Sequence, residues 1–251
     1  MPVGYLKNSR IMQTIRSRVA FHIRQHGFDH CMQRIVDGQE RPIPGSLIAE
    51  AFAQWGDPLS ASDEGYLRSC LAEVSATSGA ILQCGAGLST LVLGAICHGS
   101  NTKGHQLWCL EHDRHWASTI RSWLTEYRVA NTHVIHSRAQ MFEGYTWYSV
   151  DTARLAKTYS LVLCEGVRAS PRGAFGALRR LEGHLASSFV MLARDAGQAA
   201  DLKLLKSWAD ANEAKFVLVD RQEGFVKISR QATHQVNAAG VQANSKMKRA
   251  Y

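Results

Sequence analysis

Hydrophobic and polar residues along this chain follow a helical pattern first and then alternate between strand-like and helical segments. Residues 1–45 are polar, with apolar residues every four positions, which predicts a helix with one apolar face. These apolar positions are Ile11, Ile15, Val19 and Ile23. Two further amphipathic helices are predicted over residues 47–55 and 60–75. The chain therefore begins with helices, and no strand is predicted before residue 80.

Short apolar runs alternate with amphipathic stretches in the rest of the chain. The predicted strands are 80–84, 106–111, 132–136, 160–165, 187–193, 215–220 and 224–229. The predicted helices lie near 88–98, 113–128, 172–184 and 199–212. Strands that alternate with helices favour a doubly wound, mostly parallel α/β sheet. Only Arg221 to Glu223 separate the last two strands, which predicts an antiparallel hairpin at one edge of the sheet.

A glycine turn follows the first predicted strand. Gly85 and Gly87 allow the backbone to turn tightly and leave room for a ligand. Ser89 and Thr90 suit the first turn of the helix that follows. The second strand ends in Glu111, where a carboxylate can accept hydrogen bonds from both hydroxyls of an adenosine ribose. The pattern predicts a site for a cofactor that contains a nucleoside.

The third glycine position of a dinucleotide-binding turn is occupied by Thr90. A side chain at this position crowds a pyrophosphate, so a cofactor without phosphates, such as S-adenosylmethionine, fits better than NAD. The chain also lacks a Tyr-x-x-x-Lys motif, which argues against a dehydrogenase.

Residues 81–90, ILQCGAGLST, resemble motif I of the class I S-adenosylmethionine-dependent methyltransferases, in the subgroup with the pattern I-L-E-x-G-x-G-x-S-T. Further segments resemble this family in order: 110–113, 134–139, 160–166 and 188–196. The resemblance covers residues 46–230 and implies a Rossmann-like fold that uses S-adenosylmethionine as cofactor. It carries little information on the methyl acceptor.

The resemblance also implies roles for particular residues. The expected cofactor-binding residues are Gln83, Gly85, Ala86, Gly87, Ser89, Thr90, Glu111, His112, Ser137, Arg138, Ala139 and Glu165. The expected catalytic residues, which would orient or deprotonate the acceptor, are Glu165, Asp195 and Tyr148. Glu165 is equally compatible with a structural role, and Tyr148 with packing. We expect no metal, because Ala196 follows Asp195 where magnesium-dependent relatives usually carry Asn.

Two positions depart from the family pattern. Gln83 replaces the acid of motif I, so it can accept a hydrogen bond from the cofactor's ammonium but brings no charge. Glu165 replaces the usual Asp and is one methylene longer. Both departures leave open a domain that no longer catalyses.

Charge is concentrated at the two ends of the sequence. Residues 1–45 carry seven Lys/Arg against three Asp/Glu, and residues 227–251 carry five Lys/Arg and no acid. The region between them is close to neutral, which argues against a large basic face for duplex nucleic acid. We interpret residues 1–45 as a basic helical segment, 46–230 as the methyltransferase-like domain and 231–251 as a flexible basic tail.

Cysteine spacing and the lengths of the apolar runs bear on metal binding and on the cellular location of the protein. None of the six cysteines forms a C-x-x-C pair, so a zinc site is not expected. No run approaches the roughly 20 apolar residues that span a bilayer, and residues 1–18 lack a signal-peptide core. We expect a cytoplasmic protein without a transmembrane segment.

The sequence favours a methyltransferase acting on a small-molecule or a sugar- or peptide-like acceptor. The alternatives are a catalytically inactive binding module that works through a protein partner, and an RNA methyltransferase that uses its basic termini. The sequence Glu165-Gly166-Val167-Arg168 stands where nucleic-acid amino methyltransferases often carry [D/N/S]-P-P-[Y/F], which counts against nucleic acid. The N-terminal helices leave open a lid over the site or a homodimer contact.

Overall fold

The structure is a computed structural model that describes residues 27–38, 42–55, 61–99, 104–165, 172–194, 199–220 and 225–232. Three helices precede the first strand: α1 (Phe28–Val36), α2 (Gly45–Trp55) and α3 (Ala61–Ala76). The helices expected over 47–55 and 60–75 are thereby confirmed. The apolar positions between Ile11 and Ile23, and residues 233–251 of the expected tail, lie outside the described residues.

Nine strands follow in the described part of the chain. They are β1 (Ala80–Cys84), β2 (Gln106–Glu111), β3 (Thr132–His136), β4 (Ala139–Phe142), β5 (Tyr145–Tyr148), β6 (Tyr159–Cys164), β7 (Leu185–Ala193), β8 (Lys215–Asp220) and β9 (Phe225–Arg230). The helices between them are α4 (Leu88–Gly99), α5 (Arg114–Glu126), α6 (Gly173–Leu181) and α7 (Ala199–Ala211). Short 3₁₀ turns span Thr152–Arg154 and Glu182–His184. All seven strands predicted from the sequence are present, because each is a short apolar run that the sheet can bury.

The seven predicted strands form one sheet in the order β3-β2-β1-β6-β7-β9-β8. β1 pairs in parallel with both β2 and β6, and β9 runs antiparallel to its neighbours β7 and β8. This confirms the Rossmann-like, doubly wound sheet with an antiparallel edge hairpin. The order of strands reverses on the two sides of β1, and in such sheets ligands bind in the crevice at the carboxyl ends of the strands at that point.

Helices cover both faces of the sheet. Helices α1 to α5 pack on one face, against residues such as Ile81 and Leu107, while α6 and α7 pack on the other, against Leu82 and Val162. Successive residues of a strand point to opposite faces, so both faces of the central strands are apolar. None of the helices in the described ranges combines the length and the apolar character that crossing a bilayer requires.

A small antiparallel hairpin, β4–β5, is the element that the sequence did not predict. It turns at Gly144, whose φ of 81° suits glycine, and it packs on α6. A Cβ added at Gly176 of α6 would lie 2.8 Å from the carbonyl oxygen of Thr146, which shows how closely the hairpin approaches the helix. The hairpin was missed because residues 139–148 alternate too weakly to be distinguished from a loop.

Candidate functional site

The glycine turn after β1 is held by backbone hydrogen bonds to the neighbouring strand. Gly85 has a φ of 97°, and its N–H donates to the carbonyl oxygen of Leu110 over 2.8 Å. The N–H of Gly87 donates to Oγ1 of Thr90 over 3.0 Å, so Thr90 closes the turn at the start of α4. A Cβ added at Gly87 would meet nothing within 4 Å. The turn therefore leaves open space above Gly87, at the carboxyl end of β1.

Glu111 is anchored at the carboxyl end of β2 by two backbone groups. Its Oε2 accepts from the N–H of Ala86 over 2.9 Å, and its Oε1 accepts from the N–H of Asp113 over 2.7 Å. Nδ1 of His112 lies 3.0 Å from Oε1, an ion pair whenever the imidazole is protonated. The carboxylate is thus fixed to the glycine turn on one side and to the start of α5 on the other.

The charge of Glu111 is maintained despite its burial. Burial alone raises the pKa of the Glu111 carboxyl, but the neighbouring His112 imidazole and the hydrogen bonds from the backbone of Asp113 and Ala86 outweigh it and leave the pKa below its ordinary value. A carboxylate has about four lone-pair sites, and the two backbone donors occupy two of them. Acceptor capacity therefore remains for the hydroxyls of a ligand.

Gln83, Ser89 and Glu165 form a hydrogen-bonded cluster between β1, α4 and the end of β6. Nε2 of Gln83 donates to Oγ of Ser89 over 2.7 Å and to Oε1 of Glu165 over 3.2 Å. Oγ of Ser89 donates to the same carboxylate oxygen over 2.7 Å. Gln83 is fully buried, and its Oε1 has no hydrogen-bond partner among the described residues. An unpaired acceptor and a carboxylate thus lie side by side, which suits a ligand with several N–H donors.

The segment after β3 turns back toward Glu111. The N–H of Ser137 donates to the carbonyl oxygen of Glu111 over 2.9 Å, and the carbonyl oxygen of Arg138 accepts from the N–H of Ser149. Oγ of Ser137 is buried and has no partner among the described residues. Ala139 is not in a loop but is the first residue of β4. Ser137 is therefore brought beside Glu111, and its expected contact with the cofactor stays a prediction.

Tyr148 is fully buried at the end of β5. Its ring meets that of Trp147 edge-on at 5.2 Å, and its hydroxyl has no partner among the described residues. Burial raises the pKa of Tyr148 well above its ordinary value, and Cys84 and Glu111 raise it further, so the hydroxyl stays protonated. Tyr148 thus lies in the core near the strand ends, and its expected catalytic role stays a prediction.

Two residues near Glu165 were not among the expected site residues. Tyr66 of α3 is buried, and the guanidinium carbon of Arg194 lies 5.5 Å from the centroid of its ring. The N–H of Arg194 donates to the carbonyl oxygen of Cys164, which places Arg194 beside the end of β6. Arg194 could have been found from the sequence, because it directly follows an apolar run and so stands at the end of a predicted strand. Tyr66 could not, because the helical pattern marks it only as a core residue.

Asp195 and the segment 166–171 lie outside the described residues, so the expected pair of Glu165 and Asp195 is a prediction only. Arg172, which opens α6, has a φ of 56°, a left-handed conformation uncommon for residues other than glycine. Its Nη1 donates to the carbonyl oxygen of Gly144 over 3.2 Å. Arg172 therefore ties the β4–β5 hairpin to α6. No group of three or more His, Cys, Asp or Glu within the described ranges is arranged to hold a metal ion.

Solved structures with a similar fold are methyltransferases. A methyltransferase from Geobacter sulfurreducens is 12% identical, with 78% of this chain and 94% of that chain covered and a TM-score of 0.48. The O-methyltransferase NovP is 11% identical over 66% of this chain and 78% of its own, with a TM-score of 0.48. Precorrin-6y C5,15-methyltransferase from Geobacter metallireducens is 15% identical over 65% and 85%, with a TM-score of 0.42. Similarity at this level carries no information on cofactor or acceptor. No family model matches the chain, and no curated protein matches it.

Proposed function

We propose that this protein is an S-adenosylmethionine-dependent methyltransferase of class I that acts on a small-molecule or a sugar- or peptide-like acceptor. The observation that carries the proposal is the anchoring of Glu111. Its carboxylate is bound by the glycine turn after β1 and by the start of α5, at the point where the order of strands reverses. That arrangement suits the two hydroxyls of a ribose.

The residues at the strand ends fit such a cofactor in two further ways. The space above Gly87 is open, so a nucleoside can lie against the backbone of the turn. Oε1 of Gln83 and Oγ of Ser137 are buried polar atoms without described partners, and a buried polar atom usually has one. Glu111 and Ser137 would hold the adenosine portion of the cofactor, while Gln83, Ser89 and Glu165 would hold its methionine portion.

S-adenosylmethionine, once bound, supplies a methyl group on a positively charged sulfur. The task of this chain is then to align an acceptor and to exclude competing water. Glu165 follows directly after β6, one of the central strands, where it would orient the acceptor or accept its proton. Asp195 and Tyr148 are further catalytic candidates, because the resemblance to class I methyltransferases implies this role for them.

One observation favours a second candidate, a binding module without catalysis. Glu165 is already engaged by Ser89 and Gln83, so its carboxylate is less available as a base. In that case the protein would bind the adenosyl group and work through a protein partner.

Calorimetric titration with S-adenosylmethionine and S-adenosylhomocysteine, with NAD as the negative control, tests the proposal. Glu111→Gln keeps the size of the side chain but removes its charge, and hydrogen bonds to charged groups are worth about 1.5–3 kcal/mol each. We expect this variant to weaken cofactor binding by at least about tenfold, which corresponds to roughly 1.4 kcal/mol.

Glu213→Gln is the matched control, because Glu213 is an exposed residue just before β8, away from the carboxyl ends of the strands. It should bind like the native protein. Equal affinity of the native protein and Glu111→Gln would refute the assignment of Glu111. Binding without methyl transfer in an acceptor screen would favour the non-catalytic module.

A further inference from the structure

The outer edge of the sheet is formed by β8. This strand pairs with β9 on one side, and it is the terminal strand of the sheet in the described part of the chain. Its second row of backbone N–H and C=O groups therefore has no strand partner among the described residues. An open row of this kind is a template for pairing with another strand.

Side chains of β8 alternate between covered and exposed positions. Phe216 and Leu218 pack against the core beneath α7. Val217 and Val219 point to the opposite face and are 37% and 50% exposed. Within the described residues, Met141 is the one other large hydrophobic residue that is exposed to this degree. Two exposed valines on an open strand edge are an apolar surface that a second strand can cover.

Charge at the two ends of β8 selects the orientation of such a strand. The strand begins with Lys215 and ends with Asp220, and both side chains are exposed. A second β8 aligned in parallel would place like charges next to each other at both ends. Aligned antiparallel, it places each Lys215 near the Asp220 of the other copy, so the strand is complementary to itself in that orientation.

The bulge near the end of β8 limits the pairing to its regular part. The pairing of β8 with β9 shifts register between Leu218 and Asp220, so Val219 is an extra residue there. A two-fold axis perpendicular to the sheet must pass between a residue and its own copy. Centred on Val217, it pairs Phe216 with Leu218 of the other copy within the regular part of the strand. Lys215 then lies beside the bulged end of the other copy, near Val219 and Asp220.

We propose that β8 is a self-association surface, on which a second copy of this chain pairs antiparallel about a two-fold axis at Val217. The two sheets become one continuous sheet. The axis reverses the direction of the strands, so the carboxyl ends of the strands in the two copies point in opposite directions. The two candidate cofactor sites therefore lie on opposite sides of the continuous sheet. Both sites stay open, and the inference is independent of the proposed function.

Charge reversal with mixing is the experiment that tests this surface. In Lys215→Asp, both ends of the strand are negative, and in Asp220→Lys both are positive. Each variant alone faces like charge at both junctions, so we expect each to self-associate at least about tenfold more weakly than the native protein. An equimolar mixture of the two variants has opposite charges at both junctions, so it should form dimers again.

Sedimentation analysis over a range of protein concentrations, with light scattering on the same samples, measures this. The double variant Lys215→Asp/Asp220→Lys is the control for folding, and it should dimerise like the native protein. A native protein that is monomeric at every concentration would overturn the proposal. So would dimers that persist unchanged in both single variants, since they would use another surface.

The register can be tested by a disulfide at position 217. All six native cysteines are buried, so Val217→Cys introduces an accessible thiol on this edge. Oxidation with a glutathione disulfide buffer should give a covalent dimer from Val217→Cys, in which two thiols become one disulfide while glutathione disulfide is reduced. Glu213→Cys, on an exposed turn before the strand, is the control and should remain monomeric. Equal cross-linking of both variants would contradict the pairing at Val217.

Discussion

Replacing Gln83 by glutamate tests the hydrogen-bonded cluster at the centre of the candidate site. The resemblance to methyltransferases, taken alone, predicts that an acid at this position strengthens the hold on the cofactor's ammonium. The structure predicts, in addition, that the substitution lowers the stability of the folded protein. Nε2 of Gln83 donates to Glu165, and in Gln83→Glu an acceptor oxygen replaces this donor and faces another carboxylate oxygen.

The size of the cost follows from the geometry. Two unit charges at the 3.2 Å that separates Nε2 of Gln83 from Oε1 of Glu165 repel by about 5 kcal/mol at an effective dielectric constant of about 20. Glu165 is half-buried rather than fully buried, so solvent screens the pair. We expect about 2–3 kcal/mol of lost stability at pH 8.

The sign of the pH dependence is fixed by the repulsion. Two adjacent carboxylates raise the pKa of the pair in the folded state above the unfolded value of about 4.3. Below that unfolded value the carboxyls are protonated in both states, and the variant loses no stability through charge. The loss grows as the pH rises through the folded pKa and is constant above it.

Urea unfolding of four proteins at pH 5 and pH 8 measures the effect: the native protein, Gln83→Glu, Glu165→Gln and the double variant. The double variant exchanges the amide and the carboxylate, so it should recover most of the stability that Gln83→Glu loses at pH 8. A Gln83→Glu protein as stable as the native one at pH 8 would refute the reasoning. A loss equal at both pH values would mean that packing, and not charge, is responsible.

Three other predictions follow from local packing and burial. Gly94→Ala should lower the free energy of unfolding by about 1–3 kcal/mol, because its Cβ would lie 2.8 Å from Oγ1 of Thr132. The matched change Gly65→Ala, where a Cβ meets nothing within 4 Å inside α3, should raise it by about 0.5–1 kcal/mol; the reverse order in urea unfolding would contradict this. Thiol titration with a disulfide reagent at pH 8 should label none of the six buried cysteines until the protein unfolds. Burial is the main cause that raises the pKa of Cys31, to about 11, so little reactive thiolate is present. Rapid labelling of the folded protein would be inconsistent with this burial. Tyr148→Phe should leave stability unchanged or raise it by up to about 1 kcal/mol, because the hydroxyl that it removes has no described partner, and a clear loss in thermal unfolding would reveal a partner.

Local pattern was sufficient to locate the strands of the large sheet, although not those of the β4–β5 hairpin. The strands of the large sheet are short apolar runs between amphipathic helices, so periodicity alone located all seven to within two residues. The sequence also predicts Gly85, Gly87 and Glu111 as site residues, because the turn needs glycine and the second strand ends in an acid. The structure places Glu111 in contact with that turn through Ala86.

Tertiary structure decided what lies next to these residues. The hydrogen bond between Gln83 and Glu165 joins positions 82 residues apart, and a local sequence pattern cannot predict such a contact. The β4–β5 hairpin, the burial of Tyr148 and the ring of Tyr66 beneath Arg194 likewise depend on how the layers pack. Periodicity reports which face of an element is apolar, whereas the neighbours of a side chain are set by the order of strands in the sheet. The sequence therefore determined the sheet and its glycine turn, and the packing of distant segments determined the charge and hydrogen bonding of the site.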